Sequence, residues 1–256
     1  GTGLNEITKK ARNRKIFFLA GEQSGDLHGS LVIRHLRRIM PNLQIDGIGG
    51  PMMKVAGMNC IHSSDELAVI GFVEVLKNIR HLYGILNDVR AWFERERPDM
   101  VVLIDYPGFN QRVADIARQM GIYVLYYICP QVWAWHASRV KKITRLIDEA
   151  VVVFPFEKEI WARANAKVEW FGHPLIGIAQ PSEPPEEIRR ELALKEANVI
   201  SLLPGSRTQE IYYILPALLD AAELILRQKP DCRFLLPAAS TIDDARILEH
   251  LKGRNL

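Results

Sequence analysis

Short apolar, β-branched runs recur along this chain. Each is stopped, at once or one residue later, by glycine, proline or an acidic residue and followed by a segment with helical spacing. Lys15-Ile16-Phe17-Phe18-Leu19-Ala20 is the first, and Gln44 to Ile48, Met100 to Asp105, Tyr123 to Ile128 and Ala150 to Phe154 repeat it. A continuous apolar run has no polar face to offer water, so it fits a strand covered on both sides. Such strands alternating with helices predict an α/β fold built on a parallel, helix-covered sheet. Gly21 to Asp26 reads as the first turn and Leu27 to Ile39 as the first helix.

The pattern weakens around Gly172-His173-Pro174, and Gln180-Pro-Ser-Glu-Pro-Pro-Glu-Glu187 is too polar and proline-rich to bury a core. The expected organisation is a basic tail over 1–14, a Rossmann-like domain over 15–176, a linker over 177–187 and a partial second domain over 188–256. Val199 to Leu203 and Arg233 to Leu236 are the strands of that second domain, and Ile211 to Gln228 is its long helix. Two strands are few for a doubly wound sheet. The expectation is a fragment, or a domain that takes strands from a partner.

Open α/β sheets place ligands at the carboxyl ends of their strands, so the residues there carry the argument about function. Val101-Val102-Leu103-Ile104 runs into Asp105, and Pro107-Gly108 forces the chain to turn. Asp105 is therefore a candidate base, or else a cap for a helix beginning near Asn110. Gly21-Glu22-Gln23-Ser24-Gly25-Asp26 lacks both the dinucleotide fingerprint and the Gly-Lys-Ser/Thr of a P-loop. Its carboxylates oppose a bare phosphate and favour a hydroxyl-rich ligand, unless Ser24 or Asp26 merely caps the helix. Pro204-Gly205-Ser206-Arg207 has the opposite electrostatics: Arg207 can grip a phosphate in bidentate fashion beside a helix start. Gln131, Trp133, Trp135 and His136 follow the Tyr123 to Ile128 strand, where the indoles would cover a sugar or acyl chain, or pack on a neighbour. Phe72, Val75, Leu76, Ile79, Leu82, Tyr83, Leu86 and Phe93 form a helical stripe that Val69, Ile70, Val73 and Ile85 widen. With Lys77, Arg80, His81 and Arg90 nearby it reads as an acyl-chain groove, an interfacial helix, or two core helices divided at Gly71 and Gly84.

A formal net charge of +3 on 256 residues is too small to argue for nucleic acid, though it tolerates anionic ligands and lipids. The cysteines Cys60, Cys129 and Cys232 have no metal or redox spacing and read as reduced thiols of a cytoplasmic protein. No apolar run reaches the roughly 18 residues of a membrane span.

Taken together, Gly21-Glu22-x-Ser24-Gly25-Asp26, Glu66-Leu67-Ala68-Val69-x-Gly71-x-Val73-Glu74-Val75-Leu76, Asp105-x-Pro107-x-Phe109-Asn110, Pro130-x-Val132-Trp133-Ala134-Trp135, Phe154-Pro155-Phe156-Glu157, Gly172-His173-Pro174 and Leu203-Pro204-Gly205-Ser206-Arg207 resemble the lipid-A-disaccharide synthase family. They stand in the family's order from about Lys15 onward. The resemblance implies a GT-B architecture, with two Rossmann-like domains facing across a cleft. It also implies inverting transfer of diacylglucosamine from its UDP donor to lipid X, with no metal or other cofactor. On that resemblance Asp105 is the base, and Ser24, Asp26 and Asn110 orient sugar hydroxyls. Gly25, Gln131 and Trp133 line the substrate, Gly205, Ser206 and Arg207 meet the diphosphate, and Val69, Ile70, Phe72, Val73 and Leu76 meet acyl chains or the inner-membrane surface. A homodimer is left open and nucleic acid is not expected. The resemblance implies further sequence after Leu256, so this stretch alone is not expected to turn over. Another envelope UDP-sugar glycosyltransferase or epimerase, or a non-catalytic nucleotide-sugar or lipid-binding module, are the alternative readings.

Overall fold

In the computed structural model, which describes residues 14–68, 75–134 and 137–256, the chain divides into two compact units at Ala179/Gln180. The first holds strands β1 (Lys15–Ala20), β2 (Gln44–Gly49), β3 (Asn59–Ser63), β4 (Met100–Ile104), β5 (Tyr123–Tyr127), β6 (Glu149–Val152) and β7 (Val168–Trp170). They form one parallel sheet in the order β3-β2-β1-β4-β5-β6-β7. The winding direction reverses between β1 and β4, which pair from Ile16↔Met100 to Ala20↔Ile104. That reversal opens a crevice at their carboxyl ends, because the loops after β1 and β4 leave toward opposite faces.

Side-chain alternation divides the core into two layers. Phe17, Leu19, Val101, Leu103, Val124 and Tyr126 face helices α4 (Val75–Glu96) and α5 (Pro107–Gln119), with α6 (Ala137–Thr144) and α7 (Pro155–Arg163) covering β5 and β6. Phe18, Ala20, Ile45, Val102 and Ile104 face the other way, onto Ile33 of α1 (Gln23–Ile39) and Met53 of α2 (Pro51–Val55). The short helix α3 (Asp65–Ala68) follows β3.

The second unit pairs β8 (Asn198–Ser201) with β9 (Cys232–Leu235) in parallel. Around them lie α8 (Pro185–Glu191), α9 (Thr208–Gln228) and α10 (Asp244–Leu251). Its core is Leu202, Ile211, Leu215, Leu219, Ala222, Ile242 and Ile247.

Several expectations shift. Helix α1 begins at Gln23, so Ser24 to Asp26 are its first turn and not a loop. Helix α5 begins at Pro107, three residues before Asn110. Helix α4 runs unbroken through Gly84, so that glycine divides nothing. Strands β3 and β7 escape a search for apolar runs because they are edge strands, short and partly exposed. Val69, Ile70, Phe72 and Val73 lie outside the described residues, as does the side chain of Leu76, and so do Trp135 and His136.

Two glycines test the packing with opposite signs. A Cβ at Gly47 would lie 1.9 Å from the Phe18 carbonyl oxygen, within the β1–β2 ladder. Gly84 has nothing within 4 Å of its Cβ position. Gly47→Ala is expected to lower the unfolding free energy by at least about 2 kcal/mol through strand separation. Gly84→Ala should raise it by about 1 kcal/mol through helix propensity. Urea denaturation measures both.

Candidate functional site

The crevice at the β1–β4 reversal is built around a strained corner. Asp105 and Tyr106 both have left-handed backbone, with φ of 43° and 48°, and so does Ile128, at 59°, after the neighbouring β5. Left-handed backbone at such residues costs of order 1–3 kcal/mol each, so the surroundings must impose it. The imposing bonds are present. Asp105 N–H donates to the Ile128 carbonyl at 3.1 Å. The Asp105 carbonyl accepts from the Tyr126 hydroxyl at 2.6 Å and from Asn110 Nδ2 at 2.8 Å. Asn110 Nδ2 also reaches the Ile104 carbonyl at 3.2 Å. Burial pushes the Tyr126 phenol well above its ordinary pKa, so it stays a donor.

Tyr106 ties this corner to its neighbours. Its ring lies where a side chain on Gly21 would be: a Cβ there would sit 2.4 Å from Tyr106 Cδ1. Its hydroxyl donates to the Leu67 carbonyl at 2.9 Å. Gly21 is therefore needed for close approach of the β4 corner to the β1 turn. Gly25, on the following turn, also permits close packing: its Cβ position lies 3.1 Å from Ala20 Cβ and 3.5 Å from Ile104 Cγ2.

The predicted site residues are distributed unevenly. Asp105, partly buried, and Ser24, exposed on the first turn of α1, stand at the carboxyl ends of adjacent strands. Asp26 is 2% exposed, and its carboxylate accepts from the N–H groups of Gly50 (3.0 Å), Met52 (3.0 Å) and Met53 (2.9 Å). It caps α2, not its own helix, and these bonds fix the β2–α2 turn. Asn110 is fully buried, with its Nδ2 donating to the strand end while its Oδ1 is buried without a hydrogen-bond partner. Both side chains bond backbone that shapes the site. Gln131 is exposed after β5, and Trp133 is half-buried with its indole N–H on Glu157 Oε1 at 2.9 Å.

Glu157 ends a sequence motif, yet its role emerges only in the fold. It is fully buried and also accepts from Val153 N–H at 3.2 Å and Phe154 N–H at 3.0 Å. One carboxylate thus joins the β5 and β6 loops and fixes Trp133 against Phe156, edge-on at 5.1 Å. A glutamate set among aromatics is the signal that could have found it. His28, inside the first helix, carries no such signal. Burial, and then the nearby His173, push its imidazole below the ordinary range, which keeps it neutral. Burial raises the Cys129 thiol well above its usual range, so it is core and not nucleophile.

In the second unit Gly205 has φ of 110°, a backbone that favours glycine. Glu210 Oε2 accepts from Ser206 N–H at 2.8 Å and Arg207 N–H at 3.0 Å, and Thr241 Oγ1 donates to the Ser206 carbonyl at 2.7 Å. The loop is thereby shaped at the start of α9, with Arg207 at its N-cap. A 440 Å³ cavity in this unit is lined by Leu202, Leu219, Cys232, Phe234, Leu236 and Leu251 beside Arg233. Among the described residues, no three His, Cys, Asp or Glu cluster to hold a metal ion. No helix among them is long and apolar enough to cross a membrane.

A model of the lipid-A-disaccharide synthetase family matches residues 16–256. The chain belongs to that family. It is 42% identical over 247 residues to a lipid-A-disaccharide synthase of Geobacter metallireducens, covering 96% of this chain and 64% of the relative. It is 40% identical over 247 residues to one of Nitrosococcus oceani, with 94% and 62% covered. The family sequence thus extends over nearly all of this chain, while the chain spans less than two thirds of these relatives.

Solved structures share the fold at low identity. A UDP-GlcNAc 2-epimerase of Neisseria meningitidis bound to UDP-GlcNAc superposes with a TM-score of 0.64 at 12% identity, covering 94% of this chain and 70% of that one. A putative UDP-N-acetylglucosamine 2-epimerase of Listeria monocytogenes gives 0.63 at 9%, with 94% and 66% covered. The calicheamicin glycosyltransferase gives 0.53 at 16%, with 91% and 68% covered. At such identities they establish the fold, which is the GT-B type.

Asp26→Asn replaces an acceptor oxygen with a donor facing backbone N–H groups. The expected loss is about 1–3 kcal/mol in unfolding free energy, read by chemical denaturation. The Arg207 and Ser206 N–H groups hold the Glu210 carboxyl below the usual glutamate range, with desolvation opposing them. The loop contribution is therefore full above the unfolded-state pKa and lost as pH falls through the lower folded value. NMR titration of the Glu210 carboxyl carbon should give a midpoint below that of a free glutamate.

Proposed function

We propose that the chain carries the acceptor-side unit and the opening of the nucleotide-sugar unit of a lipid-A-disaccharide synthase. The reaction is transfer of diacylglucosamine from UDP-diacylglucosamine to lipid X. Family membership supports this reading, and the observation that carries it to the residues is Asp105, a carboxylate on a pinned strand end at the reversal of the sheet. Asp105 takes the proton of the acceptor hydroxyl as that oxygen attacks the anomeric carbon in line. The new glycosidic C–O bond forms while the anomeric C–O bond to the diphosphate breaks, and the bonding pair leaves with UDP. One displacement inverts the centre, so the α-linked donor gives a β-linked disaccharide without a glycosyl-enzyme intermediate.

Arg207, at the start of α9 with Gly205 and Ser206, is assigned the charge that develops on the leaving diphosphate. Ser24 is assigned a substrate hydroxyl, and Gln131 and Trp133 the acceptor's sugar or acyl face. Asp26, Gly25 and Asn110 hold the crevice in shape. The Val69 to Leu76 stretch is assigned acyl chains or the inner-membrane surface, which would make the protein peripheral to that membrane. The residues present supply base and leaving-group stabilisation without a metal.

The test is UDP release from UDP-diacylglucosamine and lipid X, with the chain extended to the length of its relatives. Asp105→Asn should cost at least about a hundredfold in kcat, roughly 3 kcal/mol. Arg207→Ala should weaken donor use, lowering kcat/KM by about tenfold or more. An unchanged rate in Asp105→Asn removes Asp105 as base, and no release by the unsubstituted protein removes the synthase reading.

A further inference from the structure

A base works only if its carboxylate is aimed, and the aim of Asp105 is set by its backbone. In the left-handed region Cα–Cβ points in a different direction from that of an extended strand residue, so relaxation of φ would swing the carboxylate away. Three hydrogen bonds oppose that relaxation. Two come from β5 and the residue after it: Tyr126 Oη to the Asp105 carbonyl at 2.6 Å, and Asp105 N–H to the Ile128 carbonyl at 3.1 Å. The third comes from Asn110 on α5 at 2.8 Å. Tyr126 is fully buried, on the layer that faces α4 and α5, so its hydroxyl is not available to a substrate.

We propose that Tyr126 is a positioning residue of the transfer reaction, holding the Asp105 backbone in its left-handed conformation and so aiming the Asp105 carboxylate at the acceptor hydroxyl. This rests on the reading of Asp105 as base. Asn110 shares the work, but it also binds the Ile104 carbonyl and lies in the first turn of α5, so its removal disturbs more than the corner. The Tyr126 hydroxyl donates to the Asp105 carbonyl. Replacing it with hydrogen in Tyr126→Phe leaves the ring packing intact and subtracts that bond.

Tyr126→Phe, in the chain extended to family length, is expected to lower kcat about tenfold, 1.4 kcal/mol by transition-state arithmetic, with KM for both substrates within about twofold. Tyr123→Phe is the control. It removes a hydroxyl bond to Glu149 at 2.8 Å from the opposite end of the same strand and should leave kcat unchanged. In the Asp105→Asn background Tyr126→Phe should add nothing, because its effect passes through the lost carboxylate. Independently of turnover, the backbone carbon shifts of Asp105 in the 256-residue chain should move away from left-handed values in Tyr126→Phe and not in Tyr123→Phe.

The outcomes separate the two readings. If Asp105→Asn leaves the rate unchanged, the base assignment fails first. If Asp105→Asn is slow but folded Tyr126→Phe keeps wild-type kcat, or slows both backgrounds equally, the positioning role is overturned. Unaltered Asp105 shifts in Tyr126→Phe overturn it as well. Should Tyr126→Phe lose its cooperative unfolding transition, the hydroxyl serves the whole core and the proposal also falls.

Discussion

The backbone of Asp105 is bound on both sides of its Cα, its N–H by the Ile128 carbonyl and its carbonyl by the Tyr126 hydroxyl and the Asn110 amide. Much of the site follows from that restraint. It lets two consecutive left-handed residues, Asp105 and Tyr106, be the whole connection between β4 and α5. The chain turns so sharply that the Tyr106 ring comes back over the β1 turn, where only a glycine leaves room for it. The crevice of a reversed parallel sheet is thus narrowed to contact between two neighbouring strand ends.

Buried carboxylates do a second kind of work around this corner. Asp26 and Glu157 each accept three N–H groups, two or three of them from backbone. A carboxylate buried without donors costs free energy, and its compensation here comes from loops that would otherwise have free amides. Asp26 fixes the turn after β2, and Glu157 fixes the turns after β5 and β6. The carboxyl edge of the sheet is therefore stiffened from within, leaving Ser24 and Gln131 exposed on it. In the second unit Glu210 shapes the Gly205–Arg207 loop in the same way, though at the surface.

These interactions explain why the motif residues divide between chemistry and shape. Gly21, Gly25, Asp26 and Asn110 look like ligand-binding residues because they cluster at turns after strands. In the structure all four also make contacts that shape the site: close approach for the glycines, helix capping for Asp26, strand-end bonding for Asn110. Tyr126 and Ile128, which share with Asn110 the restraint of Asp105, carry no such mark. Tyr126 is one of several aromatics in an apolar run, and alternation alone decides that its hydroxyl points to the side of the sheet where Asp105 turns.

The sequence by itself determined the α/β class, the central strands and the break near Gln180, because apolar runs and turn residues are local signals that survive without knowledge of neighbours. It also determined the family, through motifs kept in order, and placed Asp105 at a strand end. Only the tertiary structure decided the edge strands β3 and β7, whose short, half-exposed segments are strands by virtue of what they pair with. Only it decided that α1 starts at Gln23, and which carboxylates are spent on backbone. Hydrogen-bond partners such as Asp26 with Met53, Glu157 with Trp133 and Tyr126 with Asp105 are separated in sequence and joined only by the winding of the sheet. Periodicity carries no record of such pairs, because it encodes the face a residue takes and not the atom it meets there.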